Sequence, residues 1–171
     1  MNKQIKNITL SAFFLALGLV LPFVTGQIPE IGTMLLPMHI PVLLCGFICG
    51  KEYGLLIGLI LPLLRHALFS MPPINVAITM TFELAAYGFF SGLIYNRLSK
   101  NLLNTYVALI SSVLIGRLVL SIAEIILYSI NGTSFVFTAF ISSAFISGIP
   151  GIILQLILIP FIIRMIEKKH A

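Results

Sequence analysis

The chain contains no aspartate, and only 9% of its 171 residues are charged. Soluble domains carry about 25% charged residues, so the shortfall excludes an ordinary water-soluble fold. Without aspartate, metal-dependent phosphotransfer lacks its usual ligands. No Gly-x-x-x-x-Gly-Lys-Ser/Thr loop is present, which excludes ATP binding and hydrolysis by that route. His-Glu-x-x-His and Gly-x-Ser-x-Gly are missing as well, so the familiar metallo- and serine-hydrolase chemistries lack their residues. No internal inverted repeat of the kind found in many secondary carriers is detectable, and a self-sufficient carrier of this length would have to oligomerise. Cysteine is limited to Cys45 and Cys49, four residues apart in an apolar run. They are expected to act as small packing residues rather than as a disulfide or metal site.

Apolar residues fill the sequence instead, at 59% with a mean hydropathy of +1.13. The expected fold is an all-α membrane protein: a compact bundle of six transmembrane helices, forming one domain over residues 1–171. A helical span needs about 20 apolar residues. The spans are expected near Ile8–Val24, Leu36–Gly50 (short), Tyr53–Phe69, Asn75–Tyr95, Thr105–Ile130 and within Phe135–Ile163. The last is interrupted at Gly148-Ile-Pro-Gly151, and either one kinked helix or a short re-entrant piece plus a span fits it. Thr25–Leu35 is expected as a loop and Asn131–Ser134 as a turn. Met1–Leu21 has the basic start and apolar run of a signal peptide, but no small-residue cleavage site followed by a polar chain, so an uncleaved first helix is expected.

With the N-terminus in the cytoplasm, the inner side receives Lys3, Lys6, Lys51, Arg97, Lys100, Arg164, Lys168 and Lys169, and the outer loops receive only Glu30. The positive-inside rule then puts both termini in the cytoplasm. It also explains the net charge of +5 without nucleic acid or another acidic partner.

Ionisable groups at bilayer depth are costly and mark function by default. The candidates are Arg65, His66, Glu83, Arg117 and Glu124, with His39 at a helix mouth between Pro37 and Pro41. The span directions place these groups from the membrane middle outward. Asn75, Thr79, Glu83 and Tyr87 recur every four residues and form one stripe; Arg117, Ser121, Glu124 and Tyr128 form another. Facing each other, the stripes would line a polar cavity opening outward. Alternatively, Arg65, Arg117, Glu83 and Glu124 pair to hold helices together; the two roles overlap, since a site's cations need partners when no ligand is bound. Gln155 is expected as a helix–helix contact in the inner part of the last span. In the first helix, Ala12 and Ala16 give a small-xxx-small face that lets another helix approach closely. Ordinary packing within the chain explains that face equally well.

Taken together, the six-span pattern, Ala12-x-x-x-Ala16, and the stretch from Gln27 to Gly50 with Leu36-Pro-Met-His-Ile-Pro-Val-Leu-Leu-Cys-Gly-Phe-Ile-Cys-Gly50 resemble the substrate-binding (S) subunits of energy-coupling factor vitamin transporters. Within that family, the Leu36–Gly50 motif is similar to members associated with pantothenate. The resemblance implies a prokaryotic plasma-membrane subunit without cofactor or metal that captures a small vitamin from outside. It implies docking through Ala12 and Ala16 onto a transmembrane coupling subunit that bears two ATPases, and toppling in the membrane to release the vitamin inside. Thr25–Leu35 would lid the site. The expected substrate-binding residues are His39, Arg65, His66, Asn75, Thr79, Glu83, Tyr87, Arg117 and Glu124, none of them catalytic. Folate, riboflavin, hydroxymethylpyrimidine, niacin or a queuosine precursor would suit the same mechanism. Two other classes stay open: a stand-alone proton-coupled carrier using Glu83 and Glu124 as relays, and an intramembrane enzyme with His39 or His66 as base.

Overall fold

The structure, a computed structural model, describes residues 2–24, 28–130 and 148–170. All regular elements among the described residues are α-helices: α1 (Lys3–Val24), α2 (Pro29–Leu35), α3 (His39–Cys49), α4 (Lys51–Phe69), α5 (Ile74–Arg97), α6 (Leu102–Ile130) and α7 (Ile149–His170). Lipid offers no partners to a backbone, so each apolar segment has to close its hydrogen bonds internally. Five of the helices (α1, α4, α5, α6 and α7) are long and apolar enough to cross a membrane. The expected second span is the short one. Its helix, α3, has 11 residues, about 16 Å at 1.5 Å per residue, roughly half of a 30 Å hydrocarbon core.

The sequence sets the limits of α3. Pro41 lies in its first turn, where the missing N–H has no intrahelical partner to lose. Gly50 ends the helix at φ +103°, a conformation open to a residue without Cβ, and α4 starts on the next residue. Between these limits every residue of α3 except Ile48 is buried, so this short helix is enclosed by protein rather than by lipid.

The segment expected as a loop is partly helical: Pro29–Leu35 winds into α2. Pro29 takes the first helical position, and Leu36 stops the helix in the left-handed region (φ 49°, ψ 49°), its N–H bonded to the Gly32 carbonyl. A non-glycine residue held there stores about 1–3 kcal/mol, sustained here by burial of the Leu36 side chain. Residues 25–27, the expected turn at 131–134 and the interrupted stretch up to 147 lie outside the described residues. Past Gly148, α7 is a single helix that continues through Pro160.

Helix α5 occupies the centre, packed on α3, α4 and α6; α1 lies across α3 and α4, and α7 touches α2, α3 and α6. Glycine permits the tightest of these contacts. A Cβ at Gly88 would collide with the Gly54 backbone, and one at Gly46 with the Gly88 carbonyl, so three helix backbones meet at one node. Around it Val42, Leu43, Leu61, Leu84, Leu109 and Ile159 are fully buried. The outer faces of α1, α6 and α7 carry Phe13, Leu118, Ile122, Ile157 and Phe161, all more than half exposed. Apolar area of that extent has no place in water and suits lipid.

One end of the bundle gathers the cations. Asn7 Nδ2 donates to the Cys49 carbonyl at 3.2 Å, the Lys51 backbone lies beside Gly92, and the Tyr95 phenol donates to Glu167. The start of α1, the α3–α4 turn, the end of α5 and the end of α7 therefore share a level, and Lys3, Lys6, Lys51, Arg97, Lys100, Arg164 and Lys168 belong to these segments.

Candidate ligand-binding site

Three helices bring one carboxylate and two bases together. Glu83 on α5, His39 at the start of α3 and Arg117 in the middle of α6 are all buried. Arg117 Nη1 lies 3.0 Å from Glu83 Oε1, and His39 Nε2 lies 3.4 Å from Oε2. Tyr87, one turn beyond Glu83, packs its ring edge-on against His39, with centroids 5.2 Å apart. The same ring rests on Gly116, where a Cβ would collide with it. Gly116 thus lets α5 and α6 approach closely enough for the next residue, Arg117, to reach Glu83.

Buried polar atoms nearly always find hydrogen-bond partners. Here Arg117 Nε and Nη2, both ring nitrogens of His39, Glu83 Oε1 and Gln155 Nε2 are buried with no hydrogen bond of good geometry among the described residues. Most of these orphan atoms are donors. Such a surplus suits a ligand rich in acceptor oxygens, above all a carboxylate that the guanidinium can grip at two points.

Gln155 is the residue that sequence spacing placed elsewhere. Because α7 begins at Ile149, Gln155 lies in its second turn, toward the end opposite the cations, and not in the inner part of the span. It is 1% exposed. One turn before it, Gly151 sits against the α2–α3 junction, its Cβ position 2.7 Å from the Met34 carbonyl oxygen. Gln155, on the same face, therefore looks toward the level of His39. The available signal was a lone amide four residues after a glycine in an otherwise apolar helix.

Of the other expected site residues, Arg65, His66 and Asn75 make their contacts away from this cluster. Arg65 is buried but faces α1: its Nη1 donates to the Leu19 carbonyl at 2.5 Å, and its guanidinium lies 5.1 Å from the Phe23 ring and 5.4 Å from the Phe69 ring. His66 Nδ1 pairs with the Pro72 carbonyl at 2.8 Å, tying the end of α4 to the turn before α5. Asn75 is exposed in the first turn of α5. Thr79 is buried on the Glu83 face, its hydroxyl donating to the Val76 carbonyl at 3.1 Å. Glu124 is half-buried, two turns beyond Arg117 on the same face of α6, and Tyr128 one turn further is 43% exposed.

On α1, the face that packs on the bundle carries Ser11, Phe14, Gly18 and Pro22. Ser11 Oγ is 3.6 Å from Cys45 Sγ, and both cysteines are free and buried. Ala12 and Ala16 are exposed. Among the described residues, no group of three or more His, Cys or Glu side chains is placed to hold a metal ion.

Apolar helices closed around a buried polar cluster, with donors to spare, define a membrane-embedded small-molecule binding subunit. The family whose sequence profile matches residues 6–163 is described as "ECF transporter, substrate-specific component", and this chain belongs to it. It is accordingly an integral membrane protein and the substrate-capture subunit of an energy-coupling factor importer, not an enzyme. No curated protein and no solved structure matched in the corresponding comparisons.

Proposed function

We propose that the chain captures a small water-soluble vitamin carrying a carboxylate, with pantothenate as the first candidate, from the side opposite the cation-rich end. The observation that carries this is the set of buried donor atoms on Arg117, His39 and Gln155 that lack a hydrogen-bond partner among the described residues. Pantothenate offers a carboxylate, two hydroxyls and an amide, enough acceptors for all of them. Arg117 would take the carboxylate, while His39 and Gln155 would take the hydroxyl and amide oxygens. Glu83 keeps Arg117 in place when the ligand is absent.

The test is calorimetric titration of the detergent-purified protein with a panel of vitamins, without ATP. Pantothenate is expected to bind in the nanomolar to low-micromolar range. Arg117→Gln is expected to weaken it at least tenfold, since hydrogen bonds to charged groups contribute about 1.5–3 kcal/mol. Binding of a different vitamin alone would transfer the site to that ligand; binding of none would sink the capture function.

Energy for import is proposed to come from a transmembrane coupling subunit with two ATPases, engaged through Ala12 and Ala16, in the plasma membrane of a prokaryote. Both alanines lie on the exposed side of α1, and small side chains let a partner helix close in. Ala12→Trp should leave vitamin binding unchanged and abolish uptake by cells carrying the full transporter. Undiminished uptake would place the docking face elsewhere.

A further inference from the structure

We propose that the cation-rich end of the bundle holds a second binding site, for the phosphate headgroup of an anionic phospholipid, between the start of α6 and the last turns of α7. A cavity of about 360 Å³ lies there, within the roughly 300–1,000 Å³ typical of small-ligand sites. Lys100, Arg164 and Lys168 line it, with Asn101, Thr105 and Glu167. The carboxylate in this set is engaged from the other side, accepting a hydrogen bond from the Tyr95 phenol. Lys100 Nζ lies 6.0 Å from the centroid of the same ring. No ion pair joins Glu167 to any of the three cations among the described residues. The cavity wall therefore carries three positive charges against one negative, for a local balance of +2.

Two further features match a lipid. The first turn of α6 opens on the cavity: Asn101 Oδ1 accepts the Asn104 N–H at 2.8 Å, and the remaining N–H groups and the helix dipole favour an anion. Apolar side chains flank the cations on both helices, with Leu102 and Leu103 on α6 and Phe161 and Met165 on α7 between 41% and 69% exposed. A headgroup seated on the cations would lay its acyl chains along these residues. A soluble phosphate ester shares the headgroup chemistry but makes no use of the apolar flank.

Native mass spectrometry of the intact chain, released from micelles doped with phosphatidylglycerol or phosphatidylcholine, tests this. Phosphatidylglycerol should be retained well above phosphatidylcholine, with about a fivefold loss for each cation removed. The triple variant Lys100→Gln/Arg164→Gln/Lys168→Gln should fall to the phosphatidylcholine level. Lys100→Arg/Arg164→Lys/Lys168→Arg, which keeps the charge, and Lys3→Gln/Lys6→Gln, at the same end of the bundle, should both retain the lipid. Equal retention of the two lipids, full retention by the triple variant, or an equal loss in the Lys3/Lys6 variant would each overturn the site. A rise in melting temperature with inorganic phosphate that matches the rise with phosphatidylglycerol, and disappears in the triple variant, would overturn the lipid assignment in favour of a soluble phosphate.

Discussion

Glu83 is the residue on which the polar centre depends. A carboxylate this deep is tolerated because Arg117 and His39 approach it from two other helices. Removing one member of a buried ion pair leaves the other uncompensated, at a cost of about 3–5 kcal/mol, whereas replacing both is far milder. Arg117→Met is therefore expected to destabilise the purified protein by that amount, and Arg117→Met/Glu83→Gln to recover most of it. Denaturation followed by circular dichroism gives the comparison. A double variant no more stable than the single would mean that the pair is not energetically coupled. Arg65, a second buried cation, is held by different contacts. Between the Leu19 carbonyl and two phenylalanine rings, it fastens α4 to α1.

At the scale of elements, α5 organises the bundle because its glycine and other small residues let α3 and α4 reach its backbone. Gly88→Leu would drive a side chain into Gly54. Overpacking of a tight core costs about 1–3 kcal/mol or more, so a clearly lower melting temperature is expected. Gly32→Ala in α2 is the contrasting case, with no atom near the added Cβ. Glycine inside a helix costs about 0.5–1 kcal/mol relative to alanine, so this variant should melt at the same temperature or slightly higher. If Gly88→Leu melted like Gly32→Ala, the three-helix node would not be the tight contact described above. The short α3 has a separate consequence: a half-length helix sealed by neighbours holds His39 at mid-depth of the bundle and not at the lipid surface.

For the whole molecule, orientation follows from where the cations collect. The segments sharing the basic end carry eight of the ten Lys and Arg residues, and the opposite turn at Ser70–Pro73 carries none. By the positive-inside rule, the basic end is proposed to face the cytoplasm. In a cysteine-free background, Ser70→Cys should react with a membrane-impermeant maleimide on intact cells, and Lys100→Cys only after permeabilisation. The reverse labelling pattern would invert the topology and move the vitamin site to the inner face.

Hydropathy and charge along the chain were enough to determine a helical membrane protein, the approximate limits of its long helices, and the segregation of its cations, since burial in lipid and closure of backbone hydrogen bonds act on each segment separately. The four-residue spacing of Thr79, Glu83 and Tyr87 likewise identified one buried face, because helix periodicity is local. Other features depended on how the helices are rotated and at what depth they pack, which no single segment encodes. Arg65 and Glu83 are both ionisable and both intramembrane, yet one turns toward α1 and the other toward α3 and α6. Asn75 fits the stripe by spacing but lies in the exposed first turn, and Pro29–Leu35 reads as a loop but forms a short helix that packs against α7. Gln155 reads as the inner part of the last span until the start of α7 at Ile149 puts it in that helix's second turn. Tertiary packing alone decided which polar groups meet, because that choice rests on glycine contacts such as Gly116 against Tyr87, made between residues far apart in the chain.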